Sequence, residues 1–219
     1  MKRFSFVFVV MLSALAWSQQ NDACALKPPK GASVALLEYE DLQCPDCARA
    51  APLMKEAARS YKIPHVRRDF PLQKHSWARQ AAILARFFDT KSKKIGDQFR
   101  DYIYQHQPEI NPTNLRSFAE KFAQEQKIAL PLAIDPQGEL ERKVAADLAC
   151  GVRNNVQHTP TIYVVSNTET GTPFVEVVDR SELFRLIDDM KRQASAGKPA
   201  TKKTAKPAKT AKPAKPSGN

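Results

Sequence analysis

The sequence predicts an α/β fold in which a βαβ half and a ββα half flank a long all-helical stretch. Strand, helix and strand patterns follow one another over residues 34–70. Helical spacing of apolar residues then fills residues 77–150, and β-branched strand patterns return over residues 160–178, ahead of a last helix. With 219 residues, the chain has room for one domain of ordinary size or for a small domain that carries an insertion.

The first half is a βαβ unit. Val34 to Tyr39 is an apolar run that contains Glu38 and predicts a buried strand. Pro45 suits the first position of a helix, where its missing N–H costs no hydrogen bond, and apolar spacing continues this helix to about Tyr61. The next strand is predicted over His65 to Phe70.

Four helices are predicted between the two halves. Two of them follow from apolar residues at helical spacing, and two begin at an Asn-Pro or Asp-Pro pair, which is typical of an N-cap followed by proline in the first turn. They are expected at about residues 77–88, 95–104, 111–126 and 135–150. A hairpin over residues 160–178 and a final helix after Ser181 complete the chain.

The formal net charge of +11 first suggests a nucleic-acid or membrane partner, but this charge is concentrated at the two ends of the chain. Lys2 and Arg3 lie at one end, and seven lysines without an acid lie after residue 196. When these nine charges are set aside, the middle of the chain carries only +2. We therefore expect no nucleic-acid partner.

Residues 1–18 predict a cleaved secretory signal peptide. Lys2 and Arg3 precede an apolar run from Phe4 to Ala16, which is shorter than the roughly 17–25 residues of a membrane-spanning helix. Ala14-Leu15-Ala16 fits a small-residue cleavage site, and a retained anchor or a buried helix is the alternative. We expect a periplasmic or otherwise extracytoplasmic location.

Residues 194–219 repeat Lys, Ala, Pro and Thr without a large apolar side chain. Such a segment buries too little surface to offset the entropy of ordering, so a disordered tail is predicted. We expect a solvated tail, and weak contact with anionic envelope surfaces is the alternative.

Four cysteines, Cys24, Cys44, Cys47 and Cys150, favour disulfides over metal sites in an exported protein. Cys44 and Cys47 form a CxxC motif at the start of a predicted helix, where unpaired N–H groups and the helix dipole stabilise an anion by about 0.3–2 kcal/mol. Cys44 is therefore predicted to be the reactive thiolate. Cys47 lies one turn deeper, at a spacing suited to resolving a mixed disulfide.

Two other interpretations of the CxxC motif remain open. It could be a structural disulfide without turnover, or it could be half of a zinc site. Cys24 and Cys150 are isolated in the sequence, and the four histidines form no paired spacing, so we expect no metal ion.

Three segments together resemble the DsbA-like proteins of the thioredoxin superfamily. Residues 38–47, EYEDLQCPDC, are similar to the active-site segment of that family. Phe70-Pro71-Leu72 with His75 is similar to the segment that leads into its helical insertion, and Thr159-Pro160-Thr161 resembles the cis-proline loop of the superfamily. The likeness covers about residues 32–193.

The resemblance implies a thioredoxin fold, formed by residues 32–74 and 155–193, that is interrupted by an all-helical insertion at residues 75–154. Residues 19–31 would be a lead-in to this fold. The resemblance also implies a redox-active disulfide between Cys44 and Cys47 and no other cofactor.

Further site residues follow from the resemblance. Glu38 matches the family's buried acid beneath the CxxC motif and could exchange a proton with Cys47, and an ion-paired or partly exposed strand residue is the alternative. Pro160 would be cis and, with Thr159, would face the cysteines and offer backbone groups to an extended substrate. Pro45 and Asp46 complete the predicted substrate-binding residues.

Asp46 departs from the strongly oxidising members of the family, which often have histidine between the cysteines. A carboxylate there is expected to raise the pKa of the Cys44 thiol and to make the disulfide a weaker oxidant. A reduction potential between about −120 mV, as in DsbA, and about −270 mV, as in thioredoxin, is predicted.

Cys24 and Cys150 are predicted to form a second, structural disulfide that ties the lead-in to the last helix of the insertion. A free or intermolecular thiol is the alternative, because the sequence does not show whether the two Cα atoms come within about 7 Å.

The expected function is that of an exported dithiol oxidase. It would act on cysteines of unfolded or reduced exported proteins as a monomer and would be reoxidised by a membrane-bound redox partner. Because of Asp46, a disulfide reductase or isomerase is the alternative function with the same chemistry. A peptide-binding or envelope-attachment module, in which the CxxC disulfide is only structural, is the alternative from another class.

Overall fold

The computed structural model describes residues 23–168 and 171–196. The predicted signal peptide and residues 197–219 of the predicted tail lie outside these ranges. Within them the elements follow the order β-α-β, then four helices, then β-β-α.

Four strands and six α-helices form the described part of the chain. The strands are β1 (Val34–Glu40), β2 (His65–Asp69), β3 (Thr161–Ser166) and β4 (Phe174–Glu176). The α-helices are α1 (Pro45–Tyr61), α2 (Ala78–Asp89), α3 (Lys93–His106), α4 (Leu115–Glu125), α5 (Glu139–Arg153) and α6 (Leu183–Ala196). Short 3-10 helices cover Gln107–Glu109 and Arg180–Glu182. Among these helices, none combines the length and the hydropathy that crossing a bilayer requires.

The strands form one mixed sheet in the order β2-β1-β3-β4. Strand β1 pairs in parallel with β2 and antiparallel with β3, and β4 pairs antiparallel with β3. All seven residues of β1 are buried, because helices cover both faces of the sheet. Leu36 packs with α1 and α6 on one face, whereas Leu37 packs near Cys150 of α5 on the other.

Helices α2 to α5 come between β2 and β3 in the sequence and share a core that is rich in aromatic side chains. Phe88, Phe99 and Phe122 meet with ring centroids 4.4–5.3 Å apart. This core continues to Cys44 and Cys47, so the helices pack directly behind the CxxC motif. The domain boundaries predicted at residues 75 and 154 stay predictions.

A buried group of charges joins the sheet to these helices. Glu40 of β1 accepts hydrogen bonds from Arg67 Nε of β2 at 3.0 Å and from the Tyr104 hydroxyl of α3 at 2.8 Å. Arg100 Nε of α3 lies 3.1 Å from the other Glu40 oxygen. Burial raises the pKa of Glu40, but the two guanidinium groups outweigh it and keep the carboxyl below its ordinary value.

The lead-in is held against α5. Cys24 and Cys150 form a disulfide with Cα atoms 4.8 Å apart, and both residues are buried. Asn154 at the end of α5 donates a hydrogen bond to the Cys24 carbonyl at 2.9 Å. The described part of the lead-in is therefore fixed to the insertion at its last helix.

Among the boundaries that differ from the predicted ones, three have a clear physical reason. Helix α4 begins at Leu115 because the Asn111 side chain accepts hydrogen bonds from the next backbone N–H groups and forms a turn in place of a helix start. Helix α5 begins at Glu139, after Gly138 with a left-handed φ of 68°. Helix α6 continues to Ala196, three residues into the predicted tail, because Ala194 is buried on the apolar face of the helix.

Candidate active site

Cys44 is the N-cap residue of α1, and Pro45 opens the first turn with its ring exposed. The pKa of Cys44 is lowered to about 5. The Cys47 thiol contributes most by donating a hydrogen bond to the Cys44 sulfur, and the backbone N–H groups of Cys47 and Asp46 add to it against the opposing effect of burial. Cys44 is therefore a thiolate at neutral pH, as expected of an anion at a helix N-terminus.

Cys47 is the third residue of α1 and is completely buried. Burial raises its pKa far above the ordinary value, and the hydrogen bond to Cys44 and the negative charge of Glu38 raise it further. The Asp41 backbone N–H lies 3.5 Å from the Cys47 sulfur. The two cysteines are thus chemically unequal, with a thiolate at the surface end of the pair and a thiol behind it.

The loop before β3 lies against Cys44. The Thr159–Pro160 peptide bond is cis, and the Cys44 sulfur lies 3.3 Å from the Thr159 carbonyl oxygen, to which Cys44 donates a hydrogen bond only in its protonated form. The Thr159 hydroxyl is buried without another hydrogen-bond partner among the described residues. It is therefore available to the Cys44 thiolate, and it contributes to lowering the Cys44 pKa.

Glu38 lies on β1 beneath the CxxC motif and is 1% exposed. Its Oε2 is 2.8 Å from His65 Nε2 on the neighbouring strand β2. Glu38 is thus buried beneath the CxxC motif and also has a polar partner, which the sequence did not reveal. His65 lines a cleft of about 470 Å³, so the pair connects the surroundings of Cys47 to the protein surface.

The prediction for Asp46 did not take its charged neighbours into account. Asp46 does not act as an unbalanced negative charge, because Arg180 Nη2 lies 2.8 Å and Arg49 Nη2 lies 3.1 Å from its Oδ1. The hydrogen bond from Arg180 lowers the pKa of Asp46. With the carboxylate paired in this way, the Cys44 pKa is low and not raised.

A small groove lies beside Pro160. Its volume is about 220 Å³, and Asp46, His158, Val178 and Arg180 contribute to its walls. His158 is exposed there, as expected of a loop histidine, and Val178 is 89% exposed. The structure therefore brings the predicted substrate-binding residues Asp46 and Pro160 to one surface.

Two residues that the sequence analysis did not select hold the backbone of the CxxC segment. Asp41 is buried, and its carboxylate accepts hydrogen bonds from the Leu72 N–H at 2.8 Å and pairs with His75 Nδ1 at 2.7 Å. Gln107 Nε2 donates to the carbonyl groups of Leu42 and Cys44 at 2.8 and 3.1 Å. The polar Asp41 next to a buried strand was a detectable signal, whereas nothing in the sequence singles out Gln107.

Within residues 23–168 and 171–196, no three His, Cys, Asp or Glu side chains are grouped so that they could hold a metal ion. Cys44 and Cys47 are both free thiols in this structure, and the remaining two cysteines are bonded to each other.

Known proteins share this architecture. The Thioredoxin_4 family model, described as thioredoxin, matches residues 29–189. Among solved structures, alpha-DsbA1 of Wolbachia pipientis has a TM-score of 0.62 at 16% sequence identity and covers 78% of this chain and 92% of its own. The thiol-disulfide exchange protein alpha-DsbA2 of the same organism has a TM-score of 0.60 at 17% identity and covers 75% and 85%.

Curated relatives are larger proteins. The Na(+)/H(+) antiporter NhaA 1 of Salinispora arenicola is 28% identical over 160 residues, which are 70% of this chain and 23% of that protein. The chain thus spans less than a quarter of the length of this relative. The fold predicted from the sequence is confirmed: the chain belongs to the thioredoxin family, and its fold, with helices inserted between the two halves of the sequence, is similar to that of the DsbA structures.

Proposed function

We propose that this protein is an exported protein-disulfide oxidoreductase that works as a dithiol oxidase. The observation that carries the proposal is the inequality of the two cysteines. Cys44 has a pKa of about 5 at a helix N-terminus, and Cys47 is a buried thiol in contact with it. A structural disulfide needs no such difference, whereas disulfide exchange uses one thiol to react and one to resolve.

The reaction begins with the Cys44–Cys47 disulfide. A substrate thiolate attacks Cys44 Sγ, a new S–S bond forms, and Cys47 leaves as a thiolate that must take up a proton. A second substrate thiolate then attacks the substrate sulfur of the mixed disulfide, and Cys44 leaves as its stable thiolate. The substrate loses two electrons and becomes a disulfide, and the protein becomes the dithiol.

Glu38 is proposed as the group that exchanges the proton with Cys47. It is buried, its charge acts on Cys47, and His65 links it to the surface cleft. A positioned acid or base contributes typically 10²–10⁴-fold to a proton transfer. Burial around Cys47 makes unassisted transfer to water slow, so this step gains most from an internal partner.

The direction of electron flow follows from the same pKa values. A stable Cys44 thiolate stabilises the reduced form and makes the disulfide a stronger oxidant, which favours an oxidase over a reductase or isomerase. The ion pair at Asp46 supports this direction, because Arg180 balances the negative charge that favoured a reductase in the sequence.

Unfolded or reduced exported proteins are the proposed substrates. Pro160, with Thr159 and Pro45 beside it, would hold an extended chain segment through backbone groups, in the manner of an added strand.

The proposed location is the periplasm or another extracytoplasmic space, which the predicted signal peptide and the Cys24–Cys150 disulfide support. A membrane-bound redox partner would reoxidise Cys44 and Cys47, and the protein is proposed to act as a monomer.

Turnover of a dithiol substrate tests this function. The oxidised protein, with glutathione disulfide as the terminal oxidant, is mixed with a reduced peptide that contains two cysteines. We expect catalytic formation of the peptide disulfide, loss of it in Cys44→Ser, and trapping of a mixed disulfide in Cys47→Ser. No turnover by the wild-type protein together with a pair that glutathione cannot reduce would favour the peptide-binding or attachment module instead.

A further inference from the structure

Asp46 lies between the two redox cysteines, yet a residue from the other end of the fold balances its charge. Arg180 Nη2 is 2.8 Å from Asp46 Oδ1, and Arg180 Nη1 is 3.4 Å from the Asp46 backbone carbonyl. The side chains are 36% and 38% exposed, so the pair lies at the edge of the site and not in the core.

An unbalanced carboxylate at this position would oppose the Cys44 thiolate. Like charges disfavour each other's ionised form, and Asp46 shares the N-terminus of α1 with Cys44. The Asp46 backbone N–H forms a hydrogen bond with the Cys44 sulfur and stabilises the thiolate. An unpaired Asp46 carboxylate would have the opposite effect. The ion pair removes this conflict.

We propose that Arg180 is a positioning residue for the redox pair. It neutralises the Asp46 carboxylate and holds it at the groove beside Pro160, so that the Cys44 thiolate is favoured and the disulfide is a stronger oxidant than its CPDC sequence indicates. The inference rests on the proposed function, because a reduction potential has a role only if Cys44 and Cys47 cycle.

The position of Arg180 is fixed by its own surroundings. It opens the 3-10 helix Arg180–Glu182, which Asp179 caps by accepting a hydrogen bond from the Ser181 N–H at 2.9 Å. Leu183, the residue that follows this 3-10 helix, is completely buried in the core shared by α1 and α6. The fold therefore presents this guanidinium to Asp46 from a rigid turn.

Arg49 provides a matched control, because it contacts the same Asp46 oxygen at 3.1 Å. It belongs to the same helix as Asp46, and its side chain is 69% exposed. Exposed pairs of this spacing contribute little, and a solvated side chain is free to leave. Loss of Arg49 removes the same charge as loss of Arg180 but leaves the contact from Arg180 in place.

The test measures two quantities in Arg180→Met, Arg49→Met, Asp46→Asn and the double variant Arg180→Met/Asp46→Asn. The Cys44 pKa is taken from thiolate absorbance near 240 nm against pH, and the redox equilibrium from titration with glutathione. We expect Arg180→Met to raise the Cys44 pKa by about half to one unit. The glutathione equilibrium should move about fivefold towards the disulfide, which corresponds to about 20 mV.

The other variants separate the mechanism from general damage. Arg49→Met should change the glutathione equilibrium by less than about twofold, and Arg180→Lys should restore most of the wild-type value. In the Asp46→Asn background, Arg180→Met should have no further effect, because no charge remains to be balanced. Asp46→Asn alone should change the equilibrium by less than about twofold, because its charge is already neutralised.

Three results would overturn the inference. Arg180→Met could leave the Cys44 pKa and the equilibrium unchanged while the variant stays folded. It could shift them equally with and without the Asp46 carboxylate. Asp46→Asn alone, which does not depend on the folding of any Arg180 variant, could make the couple tenfold more oxidising. Failure of the proposed function is distinct, because there the wild-type pair would not exchange with glutathione, while the Cys44 pKa could still be measured on the reduced protein.

Discussion

Glu38 and Glu40 are two residues apart on β1, and each is 1% exposed, but their partners differ completely. Glu40 is held by Arg67, Arg100 and the Tyr104 hydroxyl, so its negative charge is fixed. Glu38 has the imidazole of His65 as its partner at 2.8 Å. Equal burial therefore comes with a structural ion-pair network at Glu40, whereas at Glu38 it accompanies the proposed exchange of a proton with Cys47.

Replacement of Glu40 should have the largest effect, and it should act on stability. Glu40→Gln removes the buried carboxylate that Arg67 and Arg100 share. Breaking a buried ion pair from one side costs about 3–5 kcal/mol, and because Arg100 keeps Asp89 as a partner at 2.8 Å, we expect a loss of stability at the lower end of this range. We expect the urea midpoint to fall accordingly while the folded fraction keeps a wild-type Cys44 pKa. A loss of less than about 1 kcal/mol would show that Glu40 is not a fixed structural charge.

Glu38→Gln is the matched substitution and should act on rate. The amide can still accept a hydrogen bond from His65, so stability should change by no more than about 1 kcal/mol. In a mixed disulfide between Cys44 and a peptide with a single cysteine, Cys47 must lose its proton before it can attack Cys44 and release the peptide, which is the reverse of the first proposed step. Without an exchangeable proton beside Cys47, we expect this release to slow by about 10²-fold at pH 7 in single-turnover experiments.

The opposite result for Glu38→Gln has a clear meaning. If Glu38 acts only as a nearby negative charge, its removal lowers the Cys47 pKa and the release becomes faster. Faster release would contradict proton exchange by Glu38 and would remove the distinction between the two glutamates.

His65→Gln tests the role of the partner of Glu38. Glutamine can donate a hydrogen bond to Glu38 but cannot carry a proton between Glu38 and the cleft that His65 lines. We expect mixed-disulfide release to slow by about tenfold and its pH dependence to change. An unchanged rate and pH profile would show that the proton reaches Glu38 by another route.

Thr159→Val tests whether the two cysteines are controlled separately. Valine has the shape of threonine without the hydroxyl that faces Cys44. We expect the Cys44 pKa to rise by about half to one unit, as for the loss of one hydrogen bond to a charged group. The rate ratio between wild type and Glu38→Gln should stay the same in this background, and a changed ratio would indicate that the two sides are coupled.

The reactive centre could be predicted from the sequence because its residues are close together in the chain or belong to a recognisable motif. The apolar run of β1, the proline at the start of α1 and the two cysteines three residues apart are all read within one short segment. Pro160 was found by resemblance, although the fold brings it to Cys44 from 116 residues away in the sequence.

The partners of the charged residues were not found, because they depend on how distant elements are placed. The parallel register pairs Leu36 with His65, and no sequence pattern states that this brings His65 to Glu38. Arg180 is 134 residues from Asp46, so no local pattern could identify it as the charge that pairs with Asp46. Predicting how a charge affects a site therefore requires knowledge of all the charged groups around it, including those that are distant in the sequence.

The titration of the reduced protein tests the central claim most directly. Thiolate absorbance near 240 nm is recorded from pH 3 to pH 10 with the Cys24–Cys150 disulfide intact, and Cys44→Ser serves as the control. We predict one transition with a midpoint near pH 5 that is absent in Cys44→Ser. Since this folded-state pKa lies below the ordinary value of 9.0, the thiolate stabilises the reduced fold fully above pH 9, and this stability is lost as the pH falls towards 5. A single transition near pH 9 would contradict the account.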